Sequence, residues 1–395
     1  TFKPFTYLMS LESGRSPASV VADVPTDFAT PTGVFSPYNY DRHFHGPVRL
    51  RFALANSLNV TAVKVLEQVG GAKALQKRLQ QCGLTTLNAR SAYYGLGLTI
   101  GNAEARLVEL TNAFATLGRL GVHRPYRLLE IDQQSASKIF DADQAWLIAD
   151  MLSDNDARAQ AFGLDSALSF DFPVACKTGT SSEFRDNWAI GYTPEFTVGV
   201  WMGNFDGSPM RNVSGVTGAA PVMHSLMAHL HERFGTSWFK RPSDVISARV
   251  DRISGKLSRQ GVNEWFVKGS LPQVETSDDR DMLGRAKLGR EYAEWFDSAD
   301  NNLRQHTFIS TAEPAQIKIL SPLPGTVYYL DPDLPQSSRQ VQLRITGVNA
   351  KWHSDTLFCF TENDEPMVEL EPGRHRLFVN CNGRRLNTWI QVEEL

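Results

Sequence analysis

Across the first 150 residues the apolar positions return at intervals of three and four, the period of helices with one buried face. Leu50, Ala53 and Leu54 lead into Asn56-Ser-Leu-Asn59, and Val60, Val63 and Leu66 keep the spacing up to Gly70-Gly71. Leu75, Leu79 and Cys82 mark a further helix stopped by Gly83, and Leu107, Leu110, Ala113 and Leu117 another ending near Gly118. Residues 142–152 are helical again. Phe2 to Met9 reads as the first turns of an apolar helix, with Pro4 tolerated because it lies near the start. Between these, residues 13–47 are rich in Pro, Gly, Ser and aromatics and predict a long ordered loop with short strands.

The period then changes to two. Phe172, Val174 and Cys176 alternate and predict a strand ending on Lys177. Trp188 to Tyr192, a Thr193-Pro194-Glu195 turn and the cleanly alternating Phe196 to Met202 predict an antiparallel hairpin. Residues 217–233 predict a covering helix with Val222, Leu226 and Leu230 on one side. A helical block followed by an antiparallel sheet and a helix is an α+β arrangement. Residues 236–312 read as a charged connector, with a small hairpin at Val245–Val250 and Ser254-Gly255 and a turn-rich stretch from Glu264 to Pro272. The remainder, 313–395, has short apolar runs at 317–320, 340–345, 357–360, 375–379 and 388–392, punctuated by Pro324-Gly325 and Pro372-Gly373. That pattern predicts a small all-β sandwich. The division is therefore 1–235, 236–312 and 313–395.

Composition narrows the picture a little. With 395 residues, 42% hydrophobic and 21% charged, the chain is an ordinary globular one of two or three domains. A net charge of −3 gives no reason to expect nucleic acid or an acidic polymer as partner. No apolar run reaches membrane-spanning length, no secretory leader is present, and a start at Thr points to a fragment of a longer chain. The four cysteines have no metal-ligand spacing. Cys82 and Cys176 read as buried thiols, whereas Cys359 and Cys381 lie in strands and can either bridge or stay apart.

Chemistry concentrates at Lys177-Thr178-Gly179-Thr180. A cation, two hydroxyls and a glycine on a strand edge form a cradle for a carboxylate and a developing oxyanion, and the glycine lets a substrate backbone lie close. Upstream, Ser57-Leu-Asn59 and Lys3 supply a hydroxyl, an amide and an amine. Each has a bland reading. Ser57 and Asn59 can cap the helix from Val60, and Lys177 can guard an edge strand. His43 and His45 form a pair without a nearby third metal ligand and fit turn packing better. Arg185 and Asp186 read as a structural ion pair. Tyr38, Tyr40 and Phe44 suit either a groove wall or the core of the loop.

Taken together, Phe2-Lys3-Pro4-Phe5, Ser57-Leu58-Asn59 and Lys177-Thr-Gly-Thr180 resemble the motif set of the penicillin-binding proteins, in order and spacing, over most of residues 1–235. The run to Phe44-His-Gly-Pro47, Arg185-Asp-Asn-Trp-Ala-Ile-Gly191 and the terminal sandwich are similar to the class A members. The resemblance implies the serine transpeptidase fold and a D,D-transpeptidase working on peptidoglycan. A serine attacks the D-Ala-D-Ala bond, an acyl-enzyme forms, and a neighbouring amine takes the acyl group; β-lactams mimic the dipeptide. It assigns catalytic roles to Lys3 as candidate base, Ser57 as proton relay, Asn59 as a hold on the substrate amide and Lys177 as positive potential for the terminal carboxylate. Thr178, Gly179 and Thr180 bind substrate, and the Thr180 N–H is an oxyanion donor. No cofactor and no nucleic acid are implied. The partners are stem peptides and β-lactams, with other cell-wall proteins reached through the terminal sandwich. The place of work is the periplasmic face of the inner membrane, with any anchor upstream.

The motif's nucleophilic serine precedes its lysine by three positions, which places it one residue before Thr1 and outside this chain. The expectation is that this polypeptide alone does not acylate. Ser135-Ala-Ser-Lys138 matches the spacing literally but follows Ser57-Leu-Asn59 in the chain, where the family places it first. Thr1 could act through its own amine, which would need processing at that point. Two rivals share the motifs: a D,D-carboxypeptidase or β-lactamase that passes the acyl group to water, and a non-catalytic penicillin-recognising sensor or scaffold.

Overall fold

The computed structural model of the chain describes residues 1–30, 33–129, 135–211, 213–310, 317–330, 339–346, 350–381 and 383–394. The chain divides into two compact units. One comprises Thr1–Asp23, Asn39–Lys287 and Asp300–Phe308; the other comprises Val24–Tyr38, Leu288–Ala299 and Ile309–Leu395. These units do not follow the three-way division drawn from sequence: much of the stretch read as a connector belongs to the first, and the boundary at 312/313 lies outside the described residues.

In the first unit the helix Lys3–Glu12 is the hub. Every residue from Lys3 to Leu11 is buried, so it is enclosed on all sides rather than laid on a surface. Phe5 meets Phe114 edge-to-face at 5.5 Å, and Leu8, Leu54, Leu66, Phe140 and Tyr192 share the same core. The antiparallel sheet has the order Ala175–Thr180, Asp186–Tyr192, Thr197–Gly203, with Lys177 opposite Ile190 and Gly179 opposite Trp188. Alternation gives it two apolar faces. Ala175, Ile190 and Tyr192 join the helical core, while Val174, Cys176, Ala189 and Val198 pack with Met223 and Met227 of the helix Ala219–Phe234.

Three expectations change here. Lys177 sits inside its strand, which runs Ala175–Thr180, so all four motif residues gain strand geometry. The covering helix buries Ala219, Met223, Met227 and His231 at i, i+4 spacing; Val222 and Leu226 are nearly half exposed, the reverse of the predicted face. Small Ala219 and Ala220 and pliable Met residues fit a closer approach to the sheet than Val and Leu would. Finally, the hairpin expected at Val245–Val250 forms with Ser254-Gly255 in its connection, but its second strand, Val262–Val267, takes in the start of the stretch read as turn-rich. Trp265 of that second strand meets Trp146 edge-to-face at 5.8 Å, which docks the hairpin on the helical block.

In the second unit, a four-stranded sheet (Thr326–Leu330, Arg384–Glu394, Gly373–Cys381, Lys351–His353) and a three-stranded one (Gln340–Gln342, Glu365–Glu369, Cys359–Glu362) enclose a core of Leu343, Leu357, Val368, Leu377, Ile390 and Val392. This is the sandwich expected from sequence, with one parallel pair, Thr326–Leu330 beside Arg384–Glu394. Cys359 and Cys381 are thiols on different sheets.

Candidate active site

Two of the predicted lysines converge on the Ser57 hydroxyl, and Asn59 joins them through Lys3. Lys177 Nζ lies 2.7 Å from Ser57 Oγ, and Lys3 Nζ approaches the same oxygen at 3.1 Å. Lys3 also donates to Asn59 Oδ1 at 2.6 Å and to the Ser57 carbonyl. Lys177 completes its set on the Thr178 carbonyl at 2.8 Å. Both lysines are buried.

Local backbone explains how Ser57 gets there. The helix Leu50–Ala55 ends with Ser57 at φ 56°, in the left-handed region where a helix C-terminus usually carries glycine. A serine there costs on the order of 1 kcal/mol. The conformation turns the chain so that Ser57 and Asn59 both face Lys3 before the helix Asn59–Gln68 begins.

Ser57 and Asn59 do not cap that helix. Its first donors are taken by Asn39, whose Oδ1 accepts from Asn59 N at 2.8 Å and Val60 N at 3.3 Å. Asn39 Nδ2 donates to Asp23 Oδ2 at 2.8 Å, and the same carboxylate oxygen accepts from His45 N and meets His45 Nδ1 at 2.8 Å. Asn39 and Asp23 are buried. They free the motif side chains from capping, and sequence reasoning missed both. The signal was an Asn set among the aromatics of Tyr38-Asn39-Tyr40. Asn39→Ala is expected to lower stability by about 1–2 kcal/mol, the scale of a lost cap, read as a shift in urea midpoint at constant m. An unchanged midpoint would show that the cap is not contributing.

Burial dominates the electrostatics. Desolvation, reinforced by the positive charge of Lys177, holds the Lys3 pKa well below its usual value, and Asp23 offsets this in part. Lys177 is brought down to about 7, first by burial and then by the Arg158 guanidinium. Arg158, buried and anchored on the Leu152 carbonyl, is a third residue the sequence did not flag. The Thr1 amine is likewise lowered by burial and by Lys177 and Lys3. Three acceptors around Lys3 suit an ammonium with three N–H bonds, while burial favours the neutral amine, so its proton is readily given up. His45 would be lowered by burial alone, but Asp23 and Asp41 outweigh this and raise it.

The two lysines have a consequence for stability. The fold binds fewer protons than the unfolded chain from about pH 7 upward, because Lys177 falls from 10.5 to about 7 on folding, so stability rises with pH there. Burial pushes the Cys82 thiol up to about 12 and raises Cys176 as well, which offsets the trend once unfolded thiols ionise near pH 8.5. Between pH 7 and 8.5, Lys177 contributes a gain on the order of 1 kcal/mol. Denaturant melts at the two pH values should show this gain in the native chain and its loss in Lys177→Met. An equal gain in both would contradict it.

The remaining predicted residues follow along the same edge strand. Gly179 faces Thr1: a Cβ there would come within 2.9 Å of Thr1 Cγ2 and 3.2 Å of the Thr1 amine. Thr180 Oγ1 accepts from Gly215 N at 3.0 Å, and Thr178 packs under Gly215, so both threonines lie on the face opposite Lys177. A cleft of about 570 Å³ opens at Thr1, Gly179 and Thr180, with Leu107, Trp188 and Trp201 among its walls.

Other candidates lie elsewhere. Ser135 is exposed, and Lys138 sits on an exposed two-residue strand paired to Asp141, so the literal match there is neither helical nor near the site. Arg185 pairs with Glu183 at 2.7 Å, and Asp186 accepts from Trp201 Nε1 at 3.1 Å; the two do not pair with each other. His43 bonds Asp300, and no metal-binding cluster occurs among the described residues. Tyr38 and Tyr40 are exposed.

Residues 1–228 match the family model for the penicillin binding protein transpeptidase domain, and residues 306–391 match that of the Penicillin-Binding Protein C-terminus Family. The chain belongs to the penicillin-binding protein transpeptidase family. It is 31% identical to penicillin-binding protein 1C of Escherichia coli strain K12 over 86% of its length and 42% of that protein's. Penicillin-binding protein 1A of Aquifex aeolicus strain VF5 is 29% identical over 71% of this chain and 40% of the relative. The chain thus spans less than half the length of these relatives. Among solved structures, penicillin-binding protein 1A of Haemophilus influenzae shares the fold with a TM-score of 0.63 at 22% identity, covering 70% of this chain and 48% of that one. PonA1 of Mycobacterium tuberculosis in complex with penicillin V superposes with a TM-score of 0.50 at 20% identity, covering 65% and 73%. Membership supports a cell-wall transpeptidase-family role, carried by residues 1–228.

Proposed function

We propose that the site is a D,D-transpeptidase acylation centre whose nucleophile is a serine joined directly to the amine of Thr1. The observation that carries this reading is the Ser57 hydroxyl held between two desolvated lysines, beside the buried Thr1 amine. A serine three residues before Lys3 would stand one helical turn from Nζ, within reach of the amine that takes its proton. Lys3 is the base. Ser57 passes the proton on to the leaving D-Ala amine, and Asn59 holds the substrate amide while it pins Lys3. Lys177, poised near neutrality, is drawn to its charged form when the terminal carboxylate arrives. The open edge at Gly179 admits the stem peptide as an added strand, and the Thr180 N–H with that of the serine stabilises the oxyanion. Thr178 and Thr180 hydroxyls face away from Lys177, so a carboxylate contact from them requires a rotamer change or a bound substrate. The acyl group then passes to an amine from a second stem. β-Lactams are taken by the same centre, as PonA1 takes penicillin V. Without the serine, the chain as written does not acylate. In the longer parent, at the periplasmic face of the inner membrane, the domain works beside a glycosyltransferase.

Incubation of the serine-bearing chain with a stem peptide ending in D-Ala-D-Ala and an amine acceptor tests the reaction. Release of one D-Ala per cross-linked product is expected. Release of D-Ala with hydrolysed product alone would show a carboxypeptidase, and no release would exclude both.

A further inference from the structure

We propose that the outer face of the four-stranded sheet in the terminal sandwich is a non-catalytic binding site for a carboxylate-bearing polysaccharide: the cell-wall glycan with its acidic stems. The inner face of that sheet is accounted for by the core, through Leu377, Val379, Ile390 and Val392. The intervening positions point outward. Arg374, Arg376 and Phe378 on one strand stand beside Trp389 and Arg385 on the next, with Trp389 opposite Arg376 in register.

The arginines are ordered by the aromatic rings. The Arg374 guanidinium lies 4.2 Å from the Trp389 ring centroid, and Gly325 closes against the same indole, where an added Cβ would come within 3.2 Å. Arg385 lies 4.8 Å from the Phe378 centroid, with the His353 ring 5.1 Å from that ring. Stacking fixes each guanidinium plane and leaves its N–H edge for a ligand. The ion pairs of this unit among the described residues run from Arg344 to Asp27 and Glu365 and from His353 to Asp355. None reaches Arg374, Arg376 or Arg385. Lys351, opposite Asn380, adds a further cation at the edge, and Glu393 lies toward the opposite edge. The cations extend over three register steps of two residues each, about 20 Å. A chain-wide charge of −3 conceals this face.

The pattern favours a saccharide over a protein surface. Protein interfaces centre on open apolar anchors and exclude charge from the middle. Here the two central rings are covered by guanidinium groups and the positions between them are amides, Asn387 and Gln391, suited to sugar hydroxyls; the exposed Val327 and Tyr329 stand on the edge strand, away from the centre of the face. A repeating polymer with carboxylates on its stems meets spaced guanidinium edges and amides together. The inference rests on the family's cell-wall role and is independent of the acylation chemistry.

Co-sedimentation of the full chain with purified peptidoglycan sacculi tests it, at low and high salt. The combined variant Arg374→Ala, Arg376→Ala, Arg385→Ala is expected to weaken retention at least tenfold while still melting cooperatively. Arg376→Glu, which disturbs no stack, should weaken it as well. Lys138→Ala, which removes an exposed cation outside both this face and the acylation site, should bind like the native chain, and sacculi with amidated carboxylates should bind poorly. Full retention by the triple variant, or equal retention on amidated sacculi, would overturn the proposal. Loss of retention in Lys138→Ala would show attraction by general positive charge and overturn it as well. Displacement by polyglutamate as effective as by soluble glycan fragments would also overturn it, in favour of an acidic protein partner.

Discussion

In a chain carrying a serine directly before Thr1, Lys3→Ala is expected to slow β-lactam acylation by about 10²–10⁴-fold, the usual yield of a positioned base. Lys3 Nζ contacts both the Ser57 and the Asn59 side chains, so its loss removes the base and a partner of each. Lys3→Arg should not rescue the rate, because guanidinium stays protonated. The rate in the Lys3 chain should climb with pH as the lowered amine loses its proton, and the Ala and Arg variants should lack that limb. Adduct formation against time at several penicillin concentrations reads all three. A Lys3→Arg variant acylating at the native rate would remove Lys3 from the role of base.

The second large effect is on stability. Arg51→Met is expected to destabilise the chain by about 3 kcal/mol, the lower end for breaking a buried ion pair. Arg51 holds Glu264 through Nε at 2.9 Å and through a 2.5 Å contact from Nη2, and it also reaches Asp150 at 2.5 Å and Asp154 at 3.1 Å. The Glu264 carboxylate is fully enclosed. Removing Arg51 leaves that carboxylate with Arg49 at 2.9 Å and the Trp265 N–H at 3.0 Å, which keeps the loss from being larger. A double variant, Arg51→Met with Glu264→Met, should recover part of it, since paired apolar replacements of buried ions are often tolerated. Equilibrium denaturation measures both, and a single-variant loss under about 1 kcal/mol would show that the pair behaves as a surface bridge. The cluster ties the hairpin at 245–267 to the helical block, although the sequence reads that region as a connector.

Why some of this was legible and some not follows from range. The Lys177 hairpin was readable because strand alternation and a short turn are local. Lys3, Ser57, Asn59 and Lys177 were readable as a set because their residue types carry the chemistry wherever the chain goes. Asn39 and Asp23 were not, since a buried amide that caps a helix twenty positions away has no local pattern. Glu264 looked like one charge in a charged region; only the fold reveals two arginines closing on it. The helix at 219–234 was found, but its buried face was misassigned, because Ala and Met outcompete Val and Leu where the sheet lies close. Arg185 and Asp186 are neighbours in sequence, yet Arg185 turns to Glu183 and Asp186 accepts from Trp201.

Intact mass after incubation with a labelled penicillin tests the central claim most directly, on this chain and on one extended upstream through the residue before Thr1. The account predicts an adduct on the extended chain alone, mapped to a serine joined to Thr1, and none when that serine is alanine. An adduct on the short chain would contradict the assignment and return Thr1 or Ser135 as nucleophile. No adduct on either would leave a domain that shares the family's fold without its acylation.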